Sequence, residues 1–159
     1  MARYFRRNDG QSFWAFVPAV ANPAAPTAAE INAGINLTAR ICDISGFTYK
    51  NKPIESPDLS TAFVASIPGE DTADDSALTF YDDATSTALW TALAKNTGGY
   101  IVISNYAKGT GTKCRTWHVV STGPNDEFKL DATAAKFMVG FSVADRPNLD
   151  AVFPSGVTI

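Results

Sequence analysis

The stretch "PGEDTADDSALTFYDD", from Pro68 to Asp83, holds Glu70, Asp71, Asp74, Asp75, Asp82 and Asp83 with no Lys or Arg among them. Carboxylates at this density can bind a hard cation, share protons in acid–base work, or form a solvated surface. The calcium reading fails on spacing. A loop starting at Asp71 has Ala73 at its third position, Ser76 where the sharp turn needs Gly, and Asp82 where a bidentate Glu is required. A zinc site would draw on Cys42, Cys114 and His118, three ligands where a structural site takes four. Cys114 and His118 fall on one face of a strand pattern but too far apart for a compact pair. The single His must also serve any Ser-His or Cys-His arrangement, and no strained G-x-S-x-G elbow is present. "KGTGTK" has the glycines of a phosphate loop without the spacing or the following helix. A two-carboxylate glycosidase is disfavoured because the acids cluster in turn-like segments. The expectation is a protein with no catalytic residues, metal or cofactor.

The elements that would carry these residues are mostly strands. With 159 residues, 45% hydrophobic and 11% aromatic, the chain reads as one domain over 1–159 with a sizeable core. "QSFWAFVPAV", "INLTARICDISGFTY", "LSTAFVASI", "SALTFY", "GGYIVISNY", "KCRTWHVVST" and "AAKFMVGFSV" are rich in β-branched and aromatic residues and bounded by turn residues, giving about seven strands. In the second, Leu37, Ala39 and Ile41 alternate with polar neighbours. One helix is expected in "DDATSTALWTALAKNTGG", with Asp82 and Asp83 at its start, Leu89 and Leu93 one turn apart, and Gly98 at its end. A shorter one is expected in "TAAEINAG", opened by Pro26 and Thr27. "KNKPIESPD", with two prolines and four charges, reads as an exposed loop.

Net charge is −3, which argues against a protein that grips nucleic acid. The charge is also segregated: Arg3, Arg6 and Arg7 form a basic arm over about 1–10, opposite in sign to the acidic run. The proline-broken segment after that arm is not a signal peptide, and no apolar stretch reaches the roughly 20 residues of a membrane span. Cys42 and Cys114 read as reduced strand residues.

The run "PGEDTADDSALTFYDDATSTALWTALAKNTGGYIVI", followed by "CRTWHVVSTGPNDEF" and "AAKFMVGFSVADRPNLDAVFP", resembles the tail tube (major tail) proteins of long-tailed bacteriophages, particularly those infecting actinobacteria. The resemblance implies a β-sandwich or half-barrel with a flanking helix. It implies hexameric rings stacked helically into a tube that conducts double-stranded DNA during ejection without binding it specifically. It also implies a virion protein assembled in the host cytoplasm, with no membrane partner, that meets other tail proteins at the tube ends and the tape-measure protein. Within that expectation, ring contacts fall to Arg3, Arg6 and Arg7 and to the loop carrying Tyr49, Lys50, Lys52, Glu55 and Asp58. The C-terminal tail, about 146–159, is a further candidate for subunit contacts. Glu70, Asp71, Asp74 and Asp75 form an acidic turn at a rim or in the lumen. Six copies of a −3 chain carry −18 per ring, a field that salt confines to about 8 Å. A different class fits the same composition: a carbohydrate-binding or decoration module whose stacking residues would be Trp117, Tyr106 and Tyr49.

Overall fold

The computed structural model describes residues 12–108 and 111–159, so Arg3, Arg6 and Arg7 lie outside the described residues. The described residues form ten strands and two short helices. In chain order they are β1 (Phe13–Val17), α1 (Ala28–Asn32), β2 (Ile35–Asn36), β3 (Ile41–Ser45), β4 (Tyr49–Ser56) and β5 (Ala65–Ala73), then β6 (Ser76–Tyr81), α2 (Ala88–Ala92), β7 (Gly98–Lys108), β8 (Lys113–Glu127), β9 (Lys136–Val143) and β10 (Asn148–Val152). The chain is mainly β, as its composition indicates.

The main sheet runs β2-β1-β7-β8-β9-β6-β3, with β10 also paired to β8. Its outer strands are consecutive in sequence, joined only by residues 37–40. Laid flat, seven strands would put those edges about 29 Å apart, whereas the connection reaches at most about 17 Å. The sheet therefore curls, and its concave face encloses Trp14, Phe16, Leu37, Leu78, Phe80, Ile101, Ile103, Trp117, Val119, Phe137, Val139 and Phe141. Helix α2 adds Leu89 and Leu93 to this core, and Trp90 lies on the Phe137 ring at 5.4 Å.

A second core covers the convex side of β1, β7 and β8. Phe13, Ala15, Val17, Val102 and Cys114 meet Val20, Ile31 of α1, Ala151 of β10 and Phe153 there. Strand β1 is consequently buried on both faces, which explains why "FWAFV" is an unbroken apolar run. Helix α1 is fixed as its sequence predicts: Thr27 and Glu30 form a reciprocal capping box. The Glu30 carboxylate also accepts the Ala21 N–H, and these backbone bonds hold its pKa below the usual range. The C-terminal residues pack on their own chain, with Phe153 edge-on to Phe13 at 5.6 Å and Val157 and Ile159 beside the same cluster.

Four elements differ from the sequence expectation. The run "LSTAFVASI" is strand only from Ala65 onward, its first six residues lying in the connection between β4 and β5. The segment "KNKPIESPD" is largely strand β4 rather than a loop. "INLTARICDISGFTY" breaks at 37–40, because Leu37 gives its N–H to the Trp14 carbonyl while its own carbonyl takes the N–H groups of Arg40 and Ile41. Leu37 is buried by this turn, and Ala39 is left exposed. Finally, α2 has five residues, and Asp82 and Asp83 do not cap it. Its N-cap is Thr87, with no side-chain bond, while the Asp83 carboxylate accepts the N–H and hydroxyl of Thr85 in a local turn upstream. Such short-range bonds compete with helix formation, so the helix starts after them.

The link from barrel to β4 is a tight corner. Gly46 and Phe47 both have positive φ (80° and 55°), and a Cβ on Gly46 would stand 2.8 Å from the backbone of Asp75 and Ser76. A left-handed Phe is costly and persists only where its surroundings fix it. Phe47 gives its N–H to Ser76 Oγ at 2.8 Å, and its ring stands edge-on to Trp14 at 5.4 Å and Trp117 at 5.6 Å. Phe47→Ala should therefore destabilise the protein by about 2–4 kcal/mol, slightly under the full cost of a buried Phe because the ring is half-buried. Denaturant unfolding checks this, and a loss below about 1 kcal/mol would mean the ring is not part of the core.

Candidate functional site

The β4–β5 hairpin forms a sheet of its own. Its register pairs Tyr49 with Ala73, Lys50 with Thr72, Asn51 with Asp71 and Lys52 with Glu70, then slips by one residue and pairs Ile54 with Ile67. The slip falls at Pro53, opposite Pro68 and Gly69. Prolines that would break a central strand are tolerated at a bulge in a two-stranded ribbon.

Only the root of the ribbon rests on the barrel. Tyr49 and Ala73 pack against the concave core, and everything beyond them is exposed. Ile54 and Ile67 face each other across the strands with 54% and 55% of their surfaces in solvent, and Phe63 at the tip is 75% exposed. Leu59 and Val64 join them, so the distal half is a concentration of apolar side chains with nothing beneath it. A two-stranded ribbon has little stability alone, and an exposed apolar patch rimmed by charge marks an interaction surface.

The sequence-predicted site residues converge on this ribbon. Tyr49, Lys50, Lys52 and Glu55 lie on β4, and Asp58 lies in the tip, where it accepts the Ser60 N–H. Glu70 and Asp71 belong to β5, while Asp74 and Asp75 form its connection to β6. The acids are thus strand and root residues rather than one turn. Asp82 and Asp83 stand apart, after β6. Among the described residues, no group of three or more His, Cys, Asp or Glu is placed to hold a metal ion, and no helix is long and apolar enough to cross a membrane. Cys42 and Cys114 are free thiols, and burial pushes Cys114 up to about 11.

Charge pairs tie the root together. Asn51 donates to Asp71 at 2.7 Å, which together with Tyr49 and Arg146 holds that carboxyl below its usual pKa. Asp74 pairs with Lys50 and accepts the Thr48 hydroxyl, and both contacts lower it. The Tyr49 hydroxyl is shut away from solvent beside Asp71, which raises its pKa, although the two make no hydrogen bond of standard geometry. Sequence reading missed two contributors, Phe47 and Arg146. The run "DISGFTY" signals a corner through its Gly, but nothing local in "ADRPN" points to a partner some seventy residues earlier.

Comparison with known proteins settles the family. Residues 1–156 match the family model described as phage tail tube protein. The chain belongs to the phage tail tube protein family. No curated protein matches it in sequence. Among solved structures, a sheath/tube terminator of an extracellular contractile injection system in the extended state superposes with a TM-score of 0.62 at 17% identity, covering 94% of this chain and 100% of that one. A chain of the sheath-tube complex of such a system gives 0.60 at 18%, covering 94% and 93%. The tube-terminating cap of the anti-feeding prophage gives 0.62 at 15%, covering 96% and 95%. At these identities the likeness is one of fold. The tail tube family makes this a structural tail component of a virion, and the ribbon gathers Ile54, Leu59, Phe63, Val64 and Ile67 as an exposed apolar surface.

Because Asp71 and Asp74 titrate below their unfolded values, their contribution to the root is complete above the ordinary carboxylate pKa of about 4 and is lost as pH falls through the lowered values. The protection of amides 49–52 and 70–74, measured relative to the intrinsic exchange rate at each pH, should fall on acidification from about pH 6 to pH 3, before that of β7 and β8. Equal loss of protection in both regions would show that these carboxylates do not hold the root.

Proposed function

We propose that six copies of this chain close into a ring, that rings stack into the tail tube, and that double-stranded DNA passes through it during ejection. The observation that carries this reading is the ribbon: a coreless hairpin with Ile54, Phe63 and Ile67 in solvent needs a neighbour, and in a homomeric tube that neighbour is another copy. A head-to-tail contact that closes makes a ring, and a second one along the axis makes a tube. The similar structures, a sheath-tube complex, a sheath/tube terminator and a tube-terminating cap, support stacking along an axis with other proteins at the ends.

The convex face of β6 and β9 is the natural candidate for the bore, since the second core covers only β1, β7 and β8. It presents Ala77, Thr79, Met138, Gly140 and Ser142, with Lys136 over the Tyr81 ring at 5.5 Å. Apart from Lys136, the residues named on this wall are uncharged and give phosphates little to bind. Lys113, a basic residue that could oppose this, is paired with Asp150. The ring contacts of Lys52, Glu55, Asp58 and Glu70 would supply specificity through charge, and those of the distal apolar residues affinity. Leu149 and Val152 of the C-terminal segment remain exposed for the same use.

The carbohydrate-binding reading loses two of its three stacking residues: Trp117 is 1% exposed and Tyr49 is half-buried with Arg146 over its ring, which leaves Tyr106, 58% exposed, without the other two beside it as a platform. Electron microscopy of the purified chain tests the proposal. Wild type should form rings or hollow tubes, and the double variant Ile54→Asp, Ile67→Asp should remain dispersed while its unfolding free energy changes by no more than about 0.5 kcal/mol, as for other exposed sites. Compact wild-type particles, or tubes formed equally well by the variant, would overturn it.

A further inference from the structure

The ribbon joins the barrel through two short pieces of chain, the corner at Gly46 and Phe47 and the connection at Asp74 and Asp75. Beside them runs a cleft lined by Tyr49, Asp71, Thr72 and Ala73 of the ribbon on one wall and by Val143, Ala144, Asp145 and Pro147 on the other. One side chain spans it. Arg146 leaves the connection between β9 and β10, lays its guanidinium 5.5 Å over the Tyr49 ring and places Nη2 3.9 Å from Asp71 Oδ2. It thereby touches both strands of the ribbon at once. The other ion pair at the root, Lys50 with Asp74, links the ribbon only to its own connection. Among the described residues, Arg146 provides the one charged link between ribbon and barrel.

We propose that Arg146 is a positioning residue that sets the direction in which the ribbon leaves the barrel. This rests on the ribbon's being the surface that meets a neighbouring copy. The link is poorly suited to holding the fold together, because the Arg146 side chain is 74% exposed and an exposed pair contributes little to global stability. It is well suited to restricting orientation. A planar guanidinium stacked on an aromatic face and directed at a carboxylate constrains angle as well as distance, which a lysine ammonium does not. An arm held at one angle meets its partner already ordered, so less freedom is lost on association.

The test uses the full chain with Cys42→Ser and Cys114→Ala, spin-labelled through Ser60→Cys at the ribbon tip and Asp131→Cys on the barrel, measured by electron–electron distance spectroscopy before assembly. With Arg146 present, one narrow distance peak is expected. Arg146→Ala should lose that peak to a broad distribution, leave the thermal midpoint unchanged and slow tube growth about tenfold, within the range over which orientation governs association rates. Arg146→Lys should keep the midpoint and restore the narrow peak only in part. An unchanged distribution in Arg146→Ala overturns the proposal, as does a broadened one with normal growth, or a midpoint that falls with the loss. If the distribution broadens but even wild type forms no tubes, the positioning role stands and the tube reading fails.

Discussion

Burial of the Phe47 ring is the contact on which the rest of the molecule depends. The ring fills the space between Trp14, Trp117 and Phe141 at the centre of the curled sheet, and to reach it the backbone must turn through two successive left-handed residues. The same turn points β4 away from the barrel. Core packing and the projection of the ribbon are therefore one event: the apolar contact offsets the strained corner, and the corner launches the ribbon. With the Phe47 amide bonded to Ser76 and Tyr49 packed on the core, the ribbon's base is held at both strands, while its outer half has no support from its own chain.

That division separates what stabilises the fold from what is available for assembly. The barrel has two cores, one on each side of β1, β7 and β8, and nearly all its large aromatic side chains are used there. The ribbon spends its apolar residues differently, exposing Ile54, Ile67 and Phe63 where they gain nothing in a lone copy. A tail tube protein has reason to be built this way. In the proposed assembly, strong packing inside the barrel keeps each copy folded, and association between copies supplies the burial that the ribbon lacks.

Much of this was legible in the sequence, and what was not has physical causes. Strands β1, β6, β7, β8 and β9 follow from aromatic and β-branched runs, and Pro26 with Thr27 announces α1. The ribbon was misread because Pro53 and Pro57 signal a loop, a rule that holds for central strands and relaxes beside a bulge on a free edge. The expected helix cap at Asp83 failed because a nearby Thr offered its carboxylate a closer bond. Arg146 could not have been found from spacing at all, since it and Tyr49 are brought together only by the curl of the sheet. Even so, Lys50, Lys52 and Asp71, singled out for their charge, fall on the ribbon's root, as does Tyr49.

The central claim is that the exposed half of the ribbon is an unfinished interface completed by another copy. A cryo-electron microscopy reconstruction of tubes grown from the purified chain, at a resolution that traces side chains, tests it most directly. The expected result is six copies per layer with Ile54, Phe63 and Ile67 of each ribbon enclosed by neighbouring copies. Layers closed entirely by other surfaces, with the ribbons left in solvent, would contradict it.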